Sequence, residues 1–304
     1  MAESPTIAAP GWGEGTRQAL VLLRNDRFAT VSAIFLLLVV TGAIVGPWLL
    51  AEAATRPNLR LRNAPPLSFE HGWVYILGAD TLGRSIFARL LVASRNTVGI
   101  ATAAVLVSLL VGAGLGLLAG FSRGWIAHVV MRLTDVVMGF PSLLLAVVIL
   151  YMFRPSVTNL VIVLAITRLP VYIRTTRAEV LEVRERLFVS AATVLGASRL
   201  RIAARHVLPM VVPTLATIAT VEFALVMLAE SGLSFLGIGI QPPEVTWGLM
   251  VAQGRNYLGT AWWLAFFPGF AIMLTTLSLN LLSGWLRVAM DPQQRWRLET
   301  RSPA

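Results

Sequence analysis

The sequence contains no lysine and no cysteine. Without lysine there is no phosphate-loop cation to reach the terminal phosphates of a nucleotide, and no amine for Schiff-base chemistry. Without cysteine there are no disulfides, thiolate metal sites, haem attachments or cysteine nucleophiles, and cysteine usage says nothing about redox compartment. Histidine is nearly as scarce, and His71, His128 and His206 stand far apart with no ligand spacing, so no metal centre on this chain is expected. Charge is thin too: 13% of residues are charged and 56% hydrophobic, against about 25% and about 45–50% in soluble domains. A mean hydropathy of +0.74 excludes an ordinary soluble enzyme.

All 25 basic residues are arginine, and with 15 acidic residues they leave a net charge of +10. A nucleic-acid binder displays such charge on exposed faces interleaved with polar and aromatic residues. Here the arginines stand between long apolar runs, so the expected partner is the lipid bilayer and not nucleic acid. Phe28 to Leu50 carries no charge, and roughly 20 apolar residues at about 1.5 Å each cross a bilayer core. The polar leader from Met1 to Asp26 and the lack of a small-residue cleavage pattern mark this run as a retained anchor, not a signal peptide. Further runs at Asn96–Phe121, Met138–Phe153, Val157–Ile173, Met210–Ile238 and Trp262–Leu286 predict an all-α integral membrane protein with six transmembrane helices.

The predicted organisation is a tail over residues 1–27, a first span with an external loop over 28–95, a core of five spans over 96–290, and a second tail over 291–304. Sixteen arginines fall in 1–27, 122–137, 174–209 and 287–304, eight in the intervening segments, and Arg168 lies inside a span. The positive-inside bias then puts both termini in the cytoplasm. In the external loop, Asp80 reads as an N-cap, after which Leu82, Ile86, Phe87, Leu90 and Leu91 recur at helical spacing with Arg84 and Arg89 on another face. That pattern predicts a helix lying on the membrane surface.

Polar groups within the spans are costly and therefore informative. Glu222, nine residues beyond Pro213, lies roughly 13 Å into the bilayer, and Arg168, six residues before Arg174, about 9 Å in. Each is the other's nearest counter-charge by depth, so the two form a candidate intramembrane pair, either in the pathway or in the scaffold. Glu230 belongs near the external mouth, where it either meets substrate or caps the following loop. Asn280 either lines a pathway or bonds a neighbouring helix, and Asp135 reads as a cap or an arginine partner. Ser108, Gly112, Gly116 and Gly120 recur every fourth residue and predict a close-packing helix face. Pro141, Pro155 and Pro170 mark span ends or kinks.

Residues 174–209 are the most charged stretch of the chain. Glu182 and Arg186 stand at the favourable i, i+4 spacing, Gly196-Ala197-Ser198 breaks the helix, and a second short helix over Arg199–Val207 is expected to end at Leu208-Pro209. The small residues Ser190, Ala191, Ala192, Gly196 and Ala197 suit close approach by another protein, the alternative being a solvated hairpin.

Ser190-Ala191-Ala192, then Gly196, then Leu208-Pro209, resemble the EAA loop of ABC importer permeases, with Ser190 where the family places glutamate. The run Ala229 to Pro243, followed by Trp247-Gly248 and Gly254 to Tyr257, resembles the dipeptide, oligopeptide and nickel branch, specifically the second permease of each pair. Leu77 to Arg84, Leu286-Arg287 and Asp291-Pro292 fit the same branch. The resemblance implies a type I ABC importer permease fold in the cytoplasmic membrane that is not itself an enzyme. It makes 174–209 a coupling loop that docks an ATPase through Ser190, Ala191, Ala192, Gly196, Ala197, Arg199, Leu208 and Pro209. It implies a second homologous permease, two ATPase subunits holding ATP and Mg, and an extracytoplasmic substrate-binding protein, with no cofactor on this chain. Short peptides are the expected cargo, nickel or another small solute the alternative. From other classes, a proton-coupled transporter would use Glu222 and Asp135, and an intramembrane enzyme would need a paired catalytic constellation that the spans do not contain.

Overall fold

A computed structural model describes residues 21–122, 124–153 and 156–290. Most of the two predicted tails and Pro155 fall outside the described residues. Helix α1 (Arg27–Leu49) opens on Asp26, whose side chain accepts from the Ala29 N–H at 3.0 Å. A short α2 (Ala51–Thr55) and three single 3₁₀ turns lead through the loop to α3 (Ile86–Phe121). Ser85 and not Asp80 caps α3, its Oγ accepting from the Ala88 N–H at 3.1 Å. The predicted surface helix is therefore not a separate element: from Ile86 on, its apolar positions form the outer turns of a continuous 36-residue helix, long enough at about 1.5 Å per residue to extend well beyond a bilayer core.

The third predicted span, Met138–Phe153, is also revised. Helices α4 (Trp125–Met138) and α5 (Ser142–Met152) meet at 90°, and either they form one broken span or the pair turns back on itself. The bend sits where Pro141 lacks an N–H and biases the residue before it out of the α region. Helix α6 (Val157–Arg184) runs unbroken through Pro170 and continues beyond its apolar stretch. After it come α7 (Leu187–Val194), α8 (Arg199–Ile202), a π turn over Ala203–Val207 and α9 (Leu208–Phe235). Leu208-Pro209 thus does not end the short helix. Pro209 follows directly on the π turn, in the first turn of α9, and the chain stays helical from Arg199 to Phe235. Helices α10 (Trp247–Gly254) and α11 (Trp263–Met290) complete the fold. Among the described residues, five helices are long and apolar enough to cross a membrane, six if α4 and α5 count as one span.

The most extensive helix contact joins α3 to α6, along the predicted glycine face. A Cβ added to Gly112 would lie 2.6 Å from Tyr172 Cβ, one on Gly116 2.6 Å from Thr176 Cβ, and one on Gly120 2.6 Å from Val180 Cγ1. With lipid on all sides, backbone approach of this kind supplies the packing that the hydrophobic effect supplies in water. One buried cluster gathers Ile86, Ile100, Leu164, Met227, Leu233, Trp247 and Trp263. A second gathers Tyr172, Val180, Val183, Val189, Ile202, Val207 and Val211, tying the 174–209 segment to the ends of α6 and α9.

Candidate functional site

The segment between α6 and α9 is anchored from within and carries large apolar side chains among the charges on its outside. Val189, Ile202 and Val207 are buried. Arg184 donates to the Gly120 carbonyl and lies over the Phe121 ring, 5.7 Å from its centroid. Thr214 Oγ1 donates to Glu179 at 3.0 Å, and Arg186 pairs with Glu182 at 2.8 Å. Gly196 takes φ of +82°, the left-handed conformation in which the chain leaves α7, and Ser198 Oγ caps α8. On the outer surface Leu187, Val194, Leu195 and Leu200 are 80–88% exposed. Ser190, Ala191, Gly196, Arg199 and Pro209 are exposed beside them, and Ala192, Ala197 and Leu208 half-buried. Four large apolar side chains on a charged loop, all supported by buried neighbours, form a surface shaped to be covered.

Within the membrane region Arg168 Nε lies 3.6 Å from Glu222 Oε2. Neither atom makes a hydrogen bond among the described residues, and neither do the hydroxyls of Tyr172 and Thr176. Arg168, Tyr172 and Thr176 stand four residues apart on α6: Arg168 faces Glu222 of α9, whereas Tyr172 and Thr176 rest on Gly112 and Gly116 of α3. Asp135 accepts from Arg174 at 2.6 Å, the arginine-partner role expected for it. Glu230 is buried and accepts from Ser234 Oγ and Thr246 Oγ1, each at 2.8 Å. Since Thr246 also caps α10, Glu230 fastens that helix to the end of α9. Asn280 is exposed on α11, on the face that carries Met273 and Leu277, and points away from the chain's own core.

The residue that sequence reasoning misjudged is Asp80. It is 3% exposed, and its Oδ1 accepts from the Leu82 and Arg84 N–H groups, each at 2.9 Å. Its Oδ2 accepts from Arg84 Nε at 2.7 Å and from Arg89. Burial alone would raise the Asp80 carboxyl, but the Arg89 charge and the Arg84 hydrogen bonds outweigh it and hold the group below its ordinary value. Folding therefore favours the ionised form, and the stabilisation is present above the unfolded carboxyl value and lost as pH falls through the lowered folded one. We expect the melting temperature in detergent to drop from about pH 5 downward, while Asp80→Asn melts lower at neutral pH and lacks that share of the acid dependence. Equal acid slopes in the two proteins would contradict this.

These features define an all-helical membrane permease, a class whose working parts are helices inside the bilayer and a loop presented outside it. The family described as binding-protein-dependent transport system inner membrane component matches residues 112–296, and the chain belongs to it. It is 40% identical over 273 residues to the di/tripeptide transport system permease protein DppC of Pseudomonas aeruginosa, covering 88% of this chain and 89% of that one. It is 35% identical over 295 residues to the dipeptide transport system permease protein DppC of Alkalihalophilus pseudofirmus, covering 96% and 93%. It is 34% identical over 284 residues to the glutathione transport system permease protein GsiD of Pectobacterium atrosepticum, covering 93% and 91%. Among solved structures, a chain of the MetNI methionine ABC transporter in inward-facing conformations aligns with a TM-score of 0.55 at 14% identity, covering 70% of this chain and 96% of that one. That likeness carries the type I ABC importer permease fold.

Proposed function

We propose that this chain forms half of the translocation pathway of an ATP-driven importer for short peptides, beside a second homologous permease. Two ATPase subunits hold ATP and Mg and dock on 174–209. An extracytoplasmic binding protein delivers the peptide, and both ends of the chain face the cytoplasm. The carrying observation is the exposed apolar surface of Leu187, Val194, Leu195 and Leu200 on a segment whose inner side is buried. The peptide cargo rests on the substrates named for three relatives of near full-length coverage.

The geometry supports a lever. Helix α6 enters the loop without a break after its apolar stretch, and the loop re-enters α9 through continuous helix from Arg199. A displacement of α7 by a closing ATPase is therefore passed to two membrane helices at once, with little slack to absorb it. Ser190 offers a short hydroxyl where the related loop carries a carboxylate, so docking relies on apolar contact around it. Chemistry on the nucleotide belongs to the partners.

The test is ATP hydrolysis by the complex that co-purifies with this chain in mild detergent, with and without dipeptide-loaded binding protein. Stimulation of several-fold is expected. Leu195→Asp, at a position 87% exposed, is expected to lower ATP-driven uptake at least tenfold with normal membrane accumulation. Absence of any associated ATPase, or uptake that survives ATP depletion and collapses with the proton gradient, would overturn the proposal.

A further inference from the structure

A cavity of about 620 Å³ opens between the loop preceding α3, the first turns of α3, and the segment around α10. Its size falls within the roughly 300–1,000 Å³ of small-ligand sites. Two features of its wall stand out, and they have opposite sign.

The first is cationic. Arg84 and Arg89 both line the cavity and both bind the single buried carboxylate of Asp80. Two guanidinium groups share one acid, so the cluster holds one positive charge in excess. Arg89 Nη2 is further steered by Gln253 Oε1 at 3.2 Å. The Arg89 side chain is 7% exposed and that of Arg84 21%, so the excess charge is poorly hydrated. A guanidinium in that setting gains most from a carboxylate, which accepts its remaining N–H groups in charge-assisted bonds.

The second is anionic. Glu244 lines the same cavity, where its carboxylate accepts from Asn96 Nδ2 at 2.9 Å. No cation lies within ion-pair distance of it among the described residues, and its only polar partner there is the Asn96 amide. Asn256 and Tyr257 line the same cavity, offering an amide for peptide groups and an apolar ring.

We infer that this cavity is a transit site for zwitterions, in which Arg84 and Arg89 receive the terminal carboxylate of a short peptide and Glu244 its terminal ammonium. The inference rests on the peptide-importer reading and deepens it, since it makes both free termini the recognised features. Side chains contribute little, which suits a pathway that must pass many sequences and release them.

Equilibrium binding of radiolabelled dialanine, N-acetyl-dialanine and dialanine amide to the assembled permease–ATPase complex, with the binding protein left out, tests it. Dialanine is expected to bind saturably and each blocked peptide at least tenfold more weakly. Glu244→Gln should weaken dialanine about tenfold and leave N-acetyl-dialanine unchanged. Arg84→Gln should weaken dialanine and leave the amide unchanged. Because Arg84 also braces the Asp80 turn, the Glu244 arm, on an exposed side chain, stands alone if the arginine variant does not fold. Import of dialanine by the same complex with its binding protein separates the two readings. A complex that imports dialanine but shows no discrimination between free and blocked termini overturns the transit site alone, and one that neither binds nor imports it overturns both.

Discussion

Gly116→Val is expected to abolish accumulation of folded protein in the membrane, whereas Gly114→Ala, two residues away on the same helix, should leave it unchanged or slightly more stable. The contrast follows from what each side chain would meet. A Cβ on Gly116 lies 2.6 Å from Thr176 Cβ and 2.8 Å from the Ile173 carbonyl oxygen, whereas one on Gly114 meets nothing within 4 Å. The valine methyls add to a contact that already requires α3 and α6 to separate, and overpacking of a tight core costs about 1–3 kcal/mol or more. Separation at Gly116 also pulls on Gly112 and Gly120, which rest on Tyr172 and Val180 of the same helix. At Gly114 the helix gains up to about 1 kcal/mol of propensity from alanine with no steric penalty. Quantifying each variant by fluorescence-detected size exclusion after detergent extraction checks the pair. Normal, monodisperse Gly116→Val would show that the α3–α6 seam yields far more easily than its distances indicate.

That seam was readable from sequence because the four-residue spacing of Ser108, Gly112, Gly116 and Gly120 is a local property of one helix. The apolar runs placed most spans for the same reason. The α4–α5 bend was half legible: Pro141 announces a break, but hydropathy summed along the chain has no direction in it and cannot register a 90° turn. Asp80 shows where local reading fails. An aspartate before an amphipathic run looks the same whether it caps a helix or sits buried between two arginines. The deciding partners are remote, since Trp263 Nε1 reaches the Ala79 carbonyl across 184 residues of sequence and Gln253 reaches Arg89 across 164. Glu230 is intermediate: Ser234 is one helical turn away, while Thr246 lies 16 residues on, beyond a loop whose path no periodicity dictates. The outer surface of the 174–209 segment was legible through its small residues, but the exposure of Leu187, Val194, Leu195 and Leu200 depends on which apolar positions the ends of α6 and α9 claim first.

Reversing either Arg168 or Glu222 alone is expected to reduce uptake at least tenfold, and reversing both, as Arg168→Glu with Glu222→Arg, to restore a substantial fraction. The pair came from depth alone in the sequence, and the structure puts the two groups 3.6 Å apart on α6 and α9, their side chains 16% and 7% exposed. Breaking such a pair leaves one charge uncompensated in a poorly hydrated place, which costs about 3–5 kcal/mol in buried systems, whereas exchanging the charges preserves the attraction. The facing atoms are not hydrogen-bonded, and Tyr172, one turn along α6, has an unpartnered hydroxyl, so the contact is loose and polar, not a rigid clasp. A loose pair between the two helices that flank the 174–209 loop is suited to sliding as they move. The replacement Arg168→Met with Glu222→Leu distinguishes scaffold from mechanism, because a well-packed apolar pair is often as stable as the ionic one it replaces. If that variant accumulates normally and transports peptide at the wild-type rate, the charges serve only packing. If it accumulates normally but stalls, with ATP hydrolysis no longer stimulated by loaded binding protein, the ion pair is needed for movement of α6 against α9.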